Sequence, residues 1–301
     1  MTGGGPEEPP GSEDSVSWRA LRAEATATLR AAGLASPEVD AWRIAEEASG
    51  LSGADWVLRS SEPARRRGVV ALDAMVARRA AGEPLQYVLG RWGFRSLDLM
   101  VDRRVLIPRP ETEQVAGAAV EEAVRVGGPA TVVDLGTGSG AIALAVAVEV
   151  PTARVWATDR STAALAVARA NLAGIGRPGH RVRLAEGDWF AALPDDLRGG
   201  TDVVVANPPY VATDDPLPAE VAAWEPAEAL VAGPTGIEHL SRIVAEAPSW
   251  LRPSGALVVE LAPHQAEPVA RLAGAAGFVE VEVRPDLAGR ARMVVARRGG
   301  G

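Results

Sequence analysis

"TVVDLGTGSG", Thr131–Gly140, decides how the rest of the chain is read. Thr131, Val132, Val133 and Leu135 favour a strand, and Gly136, Gly138 and Gly140 let the backbone turn tightly afterwards. The apolar run from Ala141 predicts a helix. Strand, glycine turn and helix make one βα unit, and further units follow. "RVWATD" predicts a strand and "STAALAVARANLAG" a helix capped by Ser161; "RVRLAEGD" and "DVVVANPP" are two more strands. After a long loop come a helix around 237–247, the strand "GALVVELA", the helix "QAEPVARLAGAAG" and a closing strand pair, "VEVEVRPD" and "RMVVARR". Such alternation predicts an α/β, Rossmann-like fold: a mostly parallel, seven-stranded sheet with helices on both faces.

Upstream the pattern differs. Residues 1–14 are rich in Gly, Pro and acids and read as a disordered tail. Residues 15–86 carry helical periodicity, as in Trp18, Leu21, Ala25 and Leu29; Ser36 is placed to cap a second helix with Pro37 at its first position. A third helix is expected over "VVALDAMVARRAAG". Residues 87–107 partly alternate and read as a β-hairpin connector, leaving 108–298 as the α/β domain, with a helix starting near Pro110.

Composition narrows the function classes. The 301-residue chain is 47% hydrophobic and 23% charged, with 39 acidic against 31 basic residues and a formal net charge of -8. That balance disfavours a protein devoted to binding DNA or an anionic membrane. It has no cysteine, so no disulfide, thiolate metal site or cysteine nucleophile, and no lysine, which removes Schiff-base chemistry. His180, His239 and His264 are far apart, form no metal-ligand pattern and read as surface or loop residues, not catalytic bases. The N-terminus does not read as a signal peptide and no stretch reads as a membrane span, so a cytoplasmic location is expected.

Four motifs sit at the C-terminal ends of expected strands, where open α/β sheets bind ligands. In "DLGTGSG", Asp134–Gly140, the glycines follow G-x-G-x-G instead of the dinucleotide G-x-G-x-x-G. Asp134 precedes the loop, suited to a cationic amino group and ill suited to a pyrophosphate; Thr137 and Ser139 lie within it. Asp159 closes the next strand about 20 residues further on, the place of a carboxylate for ribose hydroxyls, or of a helix cap. Asp188 and Trp189 in "GDWF" can take an adenine ring, or Trp189 can serve the core. Last comes "NPPY", Asn207–Tyr210, where two prolines end a buried strand.

In this order the motifs resemble class I S-adenosylmethionine-dependent methyltransferases, and NPPY resembles the form that methylates a planar amide or exocyclic amino nitrogen. Such a nitrogen is a poor nucleophile because its lone pair is delocalised. The Asn207 oxygen and Pro208 carbonyl can accept its two N–H groups, Pro209 stiffens the turn, and Tyr210 can pack on the planar group. "GEPLQYVLGRWGF" (82–94), "VLIPRPETE" (105–113), "EPAEALVAG" (225–233) and "DLAGRARMVVAR" (286–297) are further similar to the release-factor glutamine methyltransferase family, PrmC or HemK.

The resemblance implies S-adenosylmethionine as cofactor, S-adenosylhomocysteine as product, no metal, and as substrate the glutamine of the Gly-Gly-Gln loop of peptide chain release factors. A monomer that binds neither DNA nor membrane is expected. It assigns Gly136–Gly140, Asp159, Trp189 and Asn207 to the cofactor and Asn207–Tyr210 to the glutamine. It lays the 107–113 segment over the cofactor, which makes Arg109 and Thr112 further candidates; a capping box is the other reading of that segment. The chain departs from the family in "ELAPHQ" (260–265), where relatives read Glu-Ile-Gly-x-x-Gln, and in "AAW" (222–224), where they often carry Arg and Phe. Alternatives are a ribosomal-protein glutamine, adenine or cytosine in DNA, or an inactive cofactor-binding adaptor.

Overall fold

The computed structural model describes residues 16–300, so the tail expected over 1–14 lies outside it. The described chain forms two compact units, one ending at Leu89 and the other beginning at Gly90.

The first unit is helical: α1 (Trp18–Ala31), α2 (Pro37–Ser49), α3 (Gly53–Arg59), α4 (Arg66–Ala80) and α5 (Leu85–Leu89). Trp18, Leu29, Ile44 and Leu72 meet in its core. The buried Asp40 carboxylate is paired with Arg79 at 2.7 Å, which offsets its desolvation. Ser17 caps α1 through the Ala20 N–H, whereas Ser36 occupies the N-cap of α2 without a side-chain bond. Residues 87–89, where the sequence reading begins the connector, complete α5, because Leu85, Tyr87 and Val88 are all buried.

The second unit opens with a hairpin of β1 (Arg91–Phe94) and β2 (Leu97–Met100), then α6 (Pro110–Arg125). There follow β3 (Thr131–Leu135), α7 (Ala141–Glu149), β4 (Arg154–Asp159), α8 (Thr162–Gly174), β5 (Val182–Glu186) and β6 (Thr201–Ala206). Next come β7 (Val211–Ala212), α9 (Ala219–Trp224), β8 (Val231–Gly233), α10 (Glu238–Trp250), β9 (Leu251–Glu260), α11 (Ala266–Ala275), β10 (Phe278–Pro285) and β11 (Ala291–Arg298). The sheet has the order β10-β11-β9-β6-β3-β4-β5. β9, β6, β3, β4 and β5 run parallel, and β11 runs antiparallel to both its neighbours. The expected seven-stranded, mostly parallel sheet is therefore present. The expected long loop is more structured than read: it contains α9 and the short parallel pair β7–β8.

Alternate residues of each strand face opposite sides. Val132 packs with α6 and α7, while Val133 and Leu135 pack with α10 and α11. β6 is buried throughout, as a central parallel strand requires. Asn171 of α8 links the hairpin to the glycine loop. Its Oδ1 accepts from the Met100 N–H at 2.7 Å, and its Nδ2 donates to the carbonyls of Met100 and Ser139 at 3.0 and 2.9 Å.

Candidate active site

One cavity lies at the C-terminal ends of β3, β4, β5 and β6. It is a concave, mostly apolar recess with a few polar groups at its edge, the kind of site that holds a small-molecule cofactor. Its wall includes Arg109, Thr112, Gly136, Thr137, Gly138, Ser139, Asp159, Asp188, Trp189, Asn207 and Pro209 from the sequence-derived set. Asp134, Gly140, Pro208 and Tyr210 are not on that wall.

The glycine loop is stitched to β4. The Thr137 N–H donates to the Thr158 carbonyl at 2.8 Å, and the Gly138 N–H donates to Asp159 Oδ2 at 2.9 Å. Gly138 takes φ 55° and Gly136 φ 71°, the left-handed region open to glycine. A Cβ on Gly136 would come within 3.1 Å of the Trp189 ring, so the loop runs close under that indole. Asp159 Oδ1 also accepts from the Ser161 N–H at 2.9 Å, so both oxygens hold backbone and each keeps a lone pair for a ligand hydroxyl. Ser161 itself caps α8 through the Ala164 N–H, as expected.

Asp134 lies beneath the loop, 1% exposed. Its Oδ2 accepts from the Thr137 hydroxyl at 2.6 Å and the Ala143 N–H at 3.1 Å. Its Oδ1 is buried without a hydrogen-bond partner. Burial pushes this carboxyl up to about 7. An unpartnered buried oxygen is an acceptor waiting for a donor, and a cationic amino group would favour its charged form.

At the far side, Trp189 adopts φ 51°, uncommon for a residue other than glycine, and belongs both to the core and to the cavity wall. His239, read from the sequence as a surface or loop residue, instead lines the cavity and lies against Trp189, ring centroids 5.2 Å apart. Burial lowers its pKa, which favours the neutral ring. One turn along α10, Arg242 pairs with Asp188 at 2.5 Å. Helical i, i+3 spacing puts His239 and Arg242 on one face of α10, a signal that isolated histidines and arginines do not give.

The near side is a strap. Glu225, buried just after α9, accepts from the Ile107 N–H at 3.1 Å and from Arg109 at 2.5 Å. Arg103 stacks over Trp224 at 4.0 Å, so the departure at 222–224 supplies a contact of its own. No capping box forms at α6: Arg109 occupies the N-cap without a side-chain bond. The Thr112 hydroxyl instead donates to Glu260 Oε2 at 2.7 Å and accepts from Asn207 Nδ2 at 3.2 Å. Tyr210 donates to Glu260 Oε1 at 3.4 Å, and burial beside that carboxylate pushes its phenol up to about 12. Despite Ala262 and Pro263, Gln265 still reaches back to the Asn-Pro-Pro-Tyr turn, donating to the Tyr210 carbonyl. Glu225, Glu260 and Gln265 were not among the sequence-derived site residues; each is a lone polar residue in a short segment, and only the fold makes them neighbours.

No group of three or more metal-binding side chains occurs among the described residues, and no described helix is long and apolar enough to cross a membrane.

Comparison with known proteins agrees with this architecture. The family model of the PrmC N-terminal domain matches residues 20–90, and that of the methyltransferase small domain matches residues 122–222. The release factor glutamine methyltransferase of Deinococcus radiodurans is 42% identical over 284 residues, covering 94% of this chain and 99% of that protein. That of Cereibacter sphaeroides is 41% identical over 280 residues, covering 92% and 97%. A solved methyltransferase from Pyrococcus furiosus shares the fold, with a TM-score of 0.51 at 18% identity over 74% of this chain and 97% of that one. With identity of this order sustained along nearly its whole length, the chain belongs to the release factor glutamine methyltransferase family.

Proposed function

We propose that this protein methylates the side-chain amide nitrogen of the glutamine in the Gly-Gly-Gln loop of peptide chain release factors, with S-adenosylmethionine as donor. The single observation that carries the reading is the orientation of Asn207. Its Nδ2 donates to the Thr112 hydroxyl, which turns its carbonyl oxygen, the acceptor of the group, away from Thr112 and able to accept from an amide.

The residues of the cavity fit the cofactor. Asp159 offers lone pairs to the ribose hydroxyls, Trp189, His239 and Asp188 form the adenine end, and Asp134, buried beneath the glycine loop with its Oδ1 unpartnered, stands behind the amino group. Bound there, S-adenosylmethionine would supply an electrophilic methyl group to the amide nitrogen, the carbon–sulfur electron pair staying on sulfur and one nitrogen proton being lost to solvent. Asn207 Oδ1 and the Pro208 carbonyl accept the two amide N–H groups, which fixes the nitrogen and turns its lone pair towards the methyl. Pro209 keeps those acceptors rigid, and Tyr210 supports the planar group. The protein works in this scheme as a cytoplasmic monomer and needs no metal.

The test is incubation with labelled S-adenosylmethionine and release factors, followed by mapping of the label by mass spectrometry. The expected product is a single methyl group on the Gly-Gly-Gln glutamine. Label on DNA or a ribosomal protein, with none on that glutamine, would overturn the reading; no transfer to any acceptor despite cofactor binding would point to the adaptor.

A further inference from the structure

Glu260 is the last residue of β9, and β9 pairs in parallel with β6 so that Val259 stands opposite Ala206. That register sets Glu260 beside Asn207. The first turn of α6 adds Thr112 from a third direction, and Thr112 and Glu260 are 5% and 1% exposed. A carboxylate in such a place carries a large desolvation cost, and packing alone would be served better by an apolar residue.

We infer that Glu260, acting through Thr112, is a positioning residue that fixes which end of the Asn207 carboxamide faces the substrate. This rests on the reading that Asn207 accepts from a substrate amide. The argument is donor bookkeeping. An ionised carboxylate only accepts, and a threonine hydroxyl has one proton. At 2.7 Å that proton is committed to Glu260, so Thr112 has only lone pairs left for Asn207. Asn207 must then present Nδ2, as it does at 3.2 Å, and its oxygen is turned the other way. Without the carboxylate, Thr112 donates to either neighbour, and the carboxamide loses its preferred orientation. An Asn207 NH₂ facing a substrate NH₂ sets donor against donor. The second Glu260 oxygen receives the Tyr210 hydroxyl, so one carboxylate steadies both side chains of the turn.

The relay also has a direction in pH. Burial is the main cause that pushes the Glu260 carboxyl up to about 7, and Glu111 raises it too; Thr112, Arg292 of β11 and Tyr210 oppose that rise. Protonation gives the carboxyl a hydrogen to donate to Thr112 and releases the lock.

The experiment compares wild type, Thr112→Val, Thr112→Ser, Glu260→Gln and Asn207→Ala as full-length chains, with release factor as acceptor and saturating S-adenosylmethionine. Cofactor Kd is measured by calorimetry, and KM and kcat by transfer of label across pH 6–9. Thr112→Val is expected to lower kcat about 100-fold, the scale of a lost transition-state hydrogen bond, with Kd and KM within about threefold of wild type. Thr112→Ser is expected to restore most of the rate. Wild-type kcat is expected to rise through neutral pH, and Glu260→Gln to lose that limb. Wild-type kcat in Thr112→Val, or a loss confined to Kd or KM, overturns the positioning role. If Thr112→Val does not fold, an unchanged pH limb in Glu260→Gln overturns it instead. Activity retained in Asn207→Ala would sink the amide-clamp reading itself, whereas an inactive Asn207→Ala beside a fully active Thr112→Val sinks the relay alone.

Discussion

Gln265 donates its side-chain amide to the backbone carbonyl of Tyr210 at 2.8 Å, tying the start of α11 to the turn that ends β6. The same Nε2 also donates to the Gly236 carbonyl at 3.1 Å, and Oε1 accepts from the Ala262 N–H at 3.0 Å. A side chain 1% exposed thus holds three backbone groups of separate segments. Gln265→Leu keeps the volume and strands those groups. It is expected to lower stability by roughly 2 kcal/mol or more in chemical denaturation and to slow methyl transfer at least tenfold. A stability loss without a rate loss would make the brace purely structural.

Asn207→Ala removes the proposed acceptor and leaves the rest of the cavity wall in place. Cofactor affinity measured by calorimetry is expected to stay within a few-fold of wild type, while turnover falls about 100-fold or further. Near wild-type turnover would take Asn207 out of its role.

Asp134 links stability to pH. Its carboxyl is pushed up from 3.8 to about 7 in the folded chain, so the fold holds this proton more tightly than the unfolded chain does. The stability this contributes is complete below pH about 4 and is lost as pH rises through about 7. Relative to Asp134→Asn, the wild type is expected to lose a few kcal/mol between those limits, each pKa unit being worth about 1.4 kcal/mol. The same substitution should weaken S-adenosylmethionine binding at pH 8, since the amide cannot pair with a cation. Denaturation at pH 5 and pH 8, with and without cofactor, checks both; parallel curves for the two proteins would refute the linkage.

The Arg109–Glu225 pair governs the strap. Glu225 is buried and accepts from both Ile107 and Arg109, so Glu225→Ala frees the backbone beside the cavity. Cofactor Kd is expected to rise about tenfold, and trypsin to cut faster at Arg103 and Arg104. Unchanged cleavage with weakened binding would assign Glu225 a direct role in binding.

Strands and helices of the α/β unit were legible because each carries its own periodicity and its own stop. "RVWATD" matches β4 residue for residue, and Ser161 caps α8 as read. The glycine loop, Asp159 and Asn207 were legible because a strand end followed by glycine or proline is a local signal. Thr112, by contrast, looked equally suited to a helix cap, since its partners Glu260 and Asn207 lie 148 and 95 residues away. The place of His239 on the cavity wall was hidden for the same reason: its neighbour Trp189 comes from a distant segment. Short-range chemistry is written in the sequence, while a relay assembled from three elements exists only once the sheet register is set.

Asn171 gives the hairpin a grip on the glycine loop. One carboxamide holds Met100 by both backbone groups and the Ser139 carbonyl by the same nitrogen, so β2 and the glycine loop share an anchor that lies outside the sheet. Linkage of this kind is reciprocal: whatever a ligand on the glycine loop does to the affinity of a partner that clasps the hairpin, that partner does to the ligand's affinity by the same factor.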